Sequence, residues 1–354
     1  MIKRKTVMIR ISAVAVAALI AALAAWAGFR AMNDKDRQDA GPPELSAWIA
    51  DWSFESGLRD AAAMSHLNSL HWFAVYFDEK GNLTATEDYD RYFEQYSSHL
   101  DAHPNVRSFV TVVNDVWLPD GTSVQKDPGV VSRLAASAEA RDRHIGELLD
   151  LVDRTGADGL ELDYERIDDG DWQGYVRLIA DLSELLAGWG KKLRVVLEPR
   201  TRVEEIEWPD GPEYVMMAYN LYGYHSGPGP KADHAFLEKT ARRMASVPGE
   251  PVIALSLGGF EWADGRVRAL TEMEAAQLAR QTSATAARDA ASGSLYFEYV
   301  DADGRKGTVW YADHETLAGW IGTVRANGVR KVALWRLGGM EEETIRQLER
   351  LALD

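Results

Sequence analysis

The sequence predicts an α/β fold, a closed (β/α)8 TIM barrel, and three observations carry that prediction. Eight short apolar runs recur along the chain, at residues 45–52, 70–77, 106–113, 159–164, 193–197, 214–218, 251–257 and 331–335. Amphipathic stretches with apolar residues three and four apart fill the intervals. No glycine-rich phosphate loop follows the first run, as an open doubly wound sheet would normally carry. Strand–helix alternation of this kind requires parallel strands joined by right-handed crossovers. Eight such units over about 310 residues fit a barrel with insertions.

The helices follow in order. Residues 130–153 place Val131, Leu134, Ala138, Ile145, Leu148, Leu149 and Val152 on one face, with Gly156 as terminator. The next helix aligns Trp172, Tyr175, Leu178, Ile179, Leu182, Leu185, Leu186 and Trp189 and stops at Gly190. An aromatic stripe at helical spacing is core. Weaker patterns occupy 57–68, 86–99, 234–246, 271–287, 313–327 and 341–352. Residues 294–311 break the alternation and read as a small β-hairpin turning at Asp301–Gly304. It belongs to an insertion over about 259–312, between the seventh strand and the following outer helix.

Ahead of the barrel, Lys3, Arg4, Lys5 and Arg10 precede an uncharged apolar run from Ile11 to Phe29. Its length is near the roughly 20 residues that span a bilayer. Positive charge before the run holds that end in the cytoplasm and sends the rest outward. Ala25-Trp26-Ala27 has the form of a cleavage site, so residues 1–30 read as a signal peptide or an uncleaved signal anchor. The length favours the anchor, with residues 11–29 in the membrane. Residues 31–43, ending in Gly41-Pro42-Pro43, form a linker, and the barrel occupies 44–354. The expected location is extracytoplasmic.

Composition narrows the partners. With 46% hydrophobic and 27% charged residues the chain is globular. A net charge of −16, with no basic run beyond the first ten residues, argues against nucleic acid. The absence of cysteine excludes disulfides, thiolate metal sites and thiol nucleophiles. The eight histidines show no metal-ligand spacing. A monomer is expected.

The segment that carries chemistry is Asp158-Gly159-Leu160-Glu161-Leu162-Asp163-Tyr164-Glu165. Side chains alternate along a strand, so Glu161, Asp163 and Glu165 share the inner face, and Leu160, Leu162 and Tyr164 take the other. Burying unpaired carboxylates is costly. Like charges at close range raise at least one pKa and keep one carboxyl protonated near neutrality. A protonated carboxyl at a strand tip is what a general acid requires.

This octapeptide resembles the D-G-x-D-x-D-x-E signature on the fourth barrel strand of family 18 glycoside hydrolases. Met217-Ala218-Tyr219-Asn220 is similar to that family's M-x-Y-D, and Val332-Ala333-Leu334-Trp335 to its eighth strand. The stretches Tyr222–Pro230 and Trp335–Gly339 resemble the spore-cortex and cell-wall branch. The resemblance implies a retaining, substrate-assisted glycosidase that needs no cofactor or metal. Its substrate would be a polysaccharide containing N-acetylglucosamine, with peptidoglycan favoured over chitin. Glu165 would be the acid/base, Asp163 would orient the acetamido N–H, Tyr219 would bond the acetyl oxygen and Trp335 would floor the pocket. Met217, Asn220 and Tyr222 would line it.

Three departures stand out. Glu161 replaces Asp or Asn, its extra methylene still reaching Asp163. Asn220 replaces Asp. The third strand lacks S-x-G-G and ends in Asn114, a further lining candidate. Glu198, with Arg200 across Pro199, either contacts substrate or forms a local salt bridge. Trp48, Trp52, Trp72 and Trp117 stand near strand ends, Trp117 being the best placed for sugar stacking. His225 reads as a solvated loop residue. The alternative function is an inactive, lectin-like glycan-binding barrel.

Overall fold

A computed structural model of the protein describes residues 41–353, and Pro42–Asp354 form one compact unit. The expected membrane or signal segment and nearly all of the linker lie outside the described residues. Among the described residues no helix is long and apolar enough to cross a membrane.

Eight strands carry the apolar runs: β1 (Glu44–Ala50), β2 (Leu67–Phe77), β3 (Arg107–Trp117), β4 (Gly159–Asp163), β5 (Lys192–Leu197), β6 (Glu213–Met217), β7 (Val252–Ser256) and β8 (Lys331–Trp335). Each pairs in parallel with the next, and β8 returns to β1, so the barrel closes. Being covered on both faces, such strands are written as continuous apolar runs. At the start of β4 a side chain is excluded. A Cβ on Gly159 would sit 2.3 Å from the Phe109 ring and 2.6 Å from the Lys192 carbonyl.

Alternation splits the core in two. Leu160, Leu162 and Tyr164 face outward and pack with Leu178, Ile179 and Leu182 of the helix Trp172–Gly188. A smaller inner cluster joins Trp48, Phe73, Tyr76, Val113, Val196, Val215, Met217 and Tyr219, with Trp117 and Trp335 against it.

The single helix expected over 130–153 is two helices, Pro128–Ala135 and Ala138–Thr155. The Ser137 hydroxyl accepts from Ala140 N at 3.2 Å and caps the second helix. The apolar phase continues across the break, which hides it from a periodicity reading. The insertion is also larger than a hairpin. It is a five-stranded antiparallel sheet in the order 266–270, 258–263, 306–312, 295–300, 287–288, with the helix Glu272–Gln281. The expected hairpin supplies two of the five strands. Gly258, at φ +63°, starts the first inserted strand two residues after β7 ends, too short a gap to show as punctuation.

Inside the barrel, opposite charges alternate over β4, β5, β6 and β8. Glu161 on β4 is fully buried. Its Oε1 accepts from Trp48 Nε1 at 2.5 Å and Thr111 Oγ1 at 2.8 Å. Its Oε2 accepts from Arg194 Nε at 3.0 Å, with His71 Nδ1 3.2 Å away. Arg194 Nη1 donates to Glu213 at 2.8 Å, and Glu213 accepts from Lys331 at 2.8 Å. Burial alone would push the Glu161 carboxyl upward, but the His71 ring and the Arg194 guanidinium outweigh it and hold it down at about 2. The folded value lies below the ordinary 4.5, so this stabilisation is present above about pH 4.5 and is lost as pH falls toward 2.

Removing one partner of a buried ion pair strands the other charge. Arg194→Met is therefore expected to lower unfolding free energy at pH 7 by about 3–5 kcal/mol in urea titration. A loss below about 1 kcal/mol, the surface-pair range, would show that Arg194 does not compensate Glu161.

Candidate active site

The carboxylate row rises from this ionic floor. Glu161 does not reach upward to Asp163 as expected. Both of its oxygens are engaged below, by Trp48, Thr111 and Arg194, so it is an interior anchor and has no surface for substrate. Asp163 ends β4. Its Oδ1 is buried without a hydrogen-bond partner. Burial first, then the neighbouring Glu165 and Glu161 charges, raise its carboxyl well above the ordinary range.

Glu165 stands two residues past the strand end, where no ladder fixes it. The Asn114 side chain does so instead. Its Oδ1 accepts from Glu165 N at 2.9 Å, and its Nδ2 donates to the Glu165 carbonyl at 2.8 Å and to the Asp127 carbonyl at 3.1 Å. Asn114 is 1% exposed. It positions the carboxylate backbone and is spent in doing so, which corrects the expectation that it lines the pocket. The Glu165 carboxyl is itself raised. Burial is the main cause, Lys126 opposes it, and Glu198 adds to it.

Lys126 donates to Glu165 Oε2. It lies on the loop between β3 and the next helix, with φ +56°. No sequence pattern marks it, because the contact depends on how that loop folds back across 39 residues of sequence. Glu198 follows β5 and accepts from Arg166 N at 2.7 Å. It also pairs with Arg200 at 2.9 Å, so the salt bridge exists together with electrostatic reach to Glu165.

Tyr219 is 8% exposed, and among the described residues none hydrogen-bonds its hydroxyl. Burial raises it well above the ordinary phenol value, followed by Asp163, Glu165 and Glu161 in that order. All three carboxylates therefore act on it, Asp163 most strongly. Trp335 stands edge-on to Phe73 at 4.7 Å and to Trp48 at 5.7 Å. Met217 is buried in the same inner cluster. Asn220 is exposed in a left-handed conformation just past β6, and its side chain hydrogen-bonds none of the described residues.

The aromatic candidates separate by burial. Trp72 is fully buried against Phe54, Tyr89 and Tyr96, outside the barrel, and Trp48 is 2% exposed beneath the row. Neither offers a face to a ligand. Trp117 is half-buried beside Tyr76 at 5.5 Å. Trp52 is 52% exposed. Tyr222 packs its ring over Gly229.

A cavity of 1010 Å³ lies between the loop of Tyr224 and His225 and the inserted sheet. It shares no residue with the carboxylate row. In the row, neighbouring carboxyls with raised pKa values converge, which makes it the candidate site. No cluster of His, Asp or Glu among the described residues is arranged to hold a metal.

Known proteins share this architecture. The spore cortex-lytic enzyme SleL of Bacillus cereus superposes with a TM-score of 0.76 at 17% identity, covering 89% of this chain and 75% of that one. A chitinase of Chromobacterium violaceum gives 0.73 at 19% identity, covering 88% and 99%. The fold is that of the chitinase-like barrels. In sequence, the cortical fragment-lytic enzyme of Bacillus subtilis is 24% identical over 223 residues, 55% of this chain and 50% of that protein. The chain spans about half the length of the first curated relatives it matches. No protein-family model matches.

The electrostatics around Glu165 can be tested without substrate. Lys126→Gln removes the positive charge that holds the carboxyl down, so its pKa is expected to rise further. Glu198→Gln removes a negative neighbour, so it is expected to fall. Isotope-edited infrared titration of the Glu165 carboxyl measures both, and opposite or absent shifts would refute this placement of charges.

Proposed function

We propose that the protein is a retaining glycoside hydrolase that cuts an N-acetylglucosamine-containing cell-wall glycan on the outer side of the cytoplasmic membrane, with Glu165 as acid and base. The observation that carries the reading is Asp163. It is a carboxyl with raised pKa, one buried oxygen unpartnered, set between the ionised Glu161 and the acid Glu165. A buried polar atom without a partner is rare and calls for a ligand or a functional reason. An acetamido N–H is a ligand that satisfies it.

The steps follow from position. Two close carboxyls with raised pKa values retain a proton between them near neutrality. Glu165 delivers that proton to the bridging glycosidic oxygen. The neighbouring acetamido oxygen of the substrate attacks the anomeric carbon, the exception to the two-carboxylate scheme. Asp163 accepts the acetamido N–H, and the free hydroxyl of Tyr219 donates to its oxygen. Trp335 lies beneath the ring. Glu165, now ionised, takes a proton from the water that opens the cyclic intermediate, and configuration is retained. The names of the similar proteins, cortex-lytic enzymes and chitinases, favour a wall or chitin-like glycan and extracytoplasmic action.

Glu165→Gln keeps the hydrogen bonds of the Asn114 clamp and removes the proton. It is expected to lower kcat by about 10²–10⁴-fold, with glycan affinity retained. Asp163→Asn is expected to lower kcat similarly. Turnover of peptidoglycan fragments and N-acetylglucosamine oligomers, measured beside binding, provides the check. Equal product from the unmodified protein and Glu165→Gln would remove the assignment. Tight binding with no turnover by either would establish a lectin-like barrel.

A further inference from the structure

Beside Trp335 two cations stand together without an ion-paired carboxylate. Lys231, after the loop that follows β6, donates to Ser256 Oγ at 2.9 Å and to the Leu257 carbonyl at 2.8 Å. Its ammonium lies 4.8 Å from the centre of the Phe260 ring. Arg336, directly after Trp335, donates to Ser53 Oγ and lies 5.5 Å over Trp52. Neither forms an ion pair with any described carboxylate, although the chain has 55 acidic residues against 39 Lys and Arg. Burial first, then the Arg336 charge, hold Lys231 down at about 7. Burial holds Arg336 below its ordinary value, with the Glu274 charge opposing it in part.

The neighbouring acids are engaged elsewhere. Glu274 Oε2 accepts from Thr271 N at 2.7 Å in a capping box. Glu272 accepts from Thr344 Oγ1 at 2.7 Å and from Glu341 N at 3.1 Å. Lys231, Trp335 and Arg336 together line a cavity of 130 Å³. Two enclosed like charges repel and lose hydration, and an anion between them relieves both costs. A neutral sugar hydroxyl accepts a hydrogen bond but leaves the repulsion in place. The flat guanidinium fork beside a compact ammonium suits a carboxylate. Glu274 in the same wall disfavours a dianionic phosphate.

We propose that this cavity is an anion subsite that takes a carboxylate borne by a sugar of the bound glycan, with Lys231 and Arg336 as its two ligands and Trp335 as the adjoining platform. The placement rests on the glycosidase reading, since it makes the cavity an extension of the sugar site. Two sources carry the required group: the free lactyl carboxylate of a muramyl residue, and the ring carboxylate of a hexuronic acid.

The test measures binding to the full-length Glu165→Gln protein by calorimetry at low salt. The probes are an N-acetylglucosamine–muramic acid tetrasaccharide with free carboxylates, its uncharged methyl amide, and an N-acetylglucosamine–glucuronic acid oligomer. The muramyl acid is expected to bind at least about tenfold tighter than its amide, the range of one charge-assisted hydrogen bond. That ratio is expected to collapse toward unity with Lys231→Met or Arg336→Met and to survive in Lys231→Arg. Preference for the uronic oligomer alone supports the subsite with the second source. Equal affinity for acid and amide without either preference, or a preference that persists in both Met variants, overturns it. Turnover by the protein with Glu165 intact is scored separately. Failure to cut acid or amide sinks the glycosidase reading, while the affinity ratio still decides the subsite.

Discussion

The ion pair between Glu161 and Arg194 is the constraint on which the site depends. A carboxylate at the middle of a closed barrel would otherwise take up a proton or open the structure to water. With Arg194, Trp48 and Thr111 filling its coordination, Glu161 stays ionised and stationary. It then acts on the residue above it as a fixed negative charge. Asp163, the next inward residue on the strand, is raised by burial and by the carboxylates on either side. The floor therefore sets the electrostatic state of the working groups without touching a substrate. Its longer side chain, compared with the Asp or Asn expected there, is used to span toward β5.

The two halves of the row sit in different electrostatic settings. Below, every carboxylate meets a cation: Glu161 with Arg194, and Glu213 with Arg194 and Lys331. Above, Asp163 has no cation in contact and Glu165 has only Lys126, itself partly exposed. Lys126 and Glu198 pull the Glu165 carboxyl in opposite directions on top of the upward push of burial, so its protonation also reflects a balance between two loops, one after each strand flanking β4. Such a balance is adjustable by small loop movements, which a buried strand pair would not permit.

Much of this was legible in the sequence. All eight strands were, because a parallel strand covered on both faces is uniformly apolar. The inward direction of the acidic row followed from alternation alone, and Leu160, Leu162 and Tyr164 lie in the outer core as that reading requires. Three kinds of feature were not legible. The break at Ser137 preserved the helical phase on either side. The inserted sheet mixed short strands such as Arg266–Leu270, whose burial is irregular, with a helix, so neither period dominated. The partners of the site residues, Asn114 to Glu165 across 51 residues and Lys126 to Glu165 across 39, are set by loop paths that local pattern does not encode.

The Asn114 clamp bears on how such a motif could be moved between proteins. The acidic octapeptide looks self-contained, but its last member lies beyond its own strand and is aimed by an amide on the adjacent one. The same amide also holds the Asp127 carbonyl, one residue from Lys126. Acid, counter-cation and the joint between β3 and β4 thus behave as one mechanical part. A graft that carried the eight residues alone into another barrel would bring the carboxyl without its bearing.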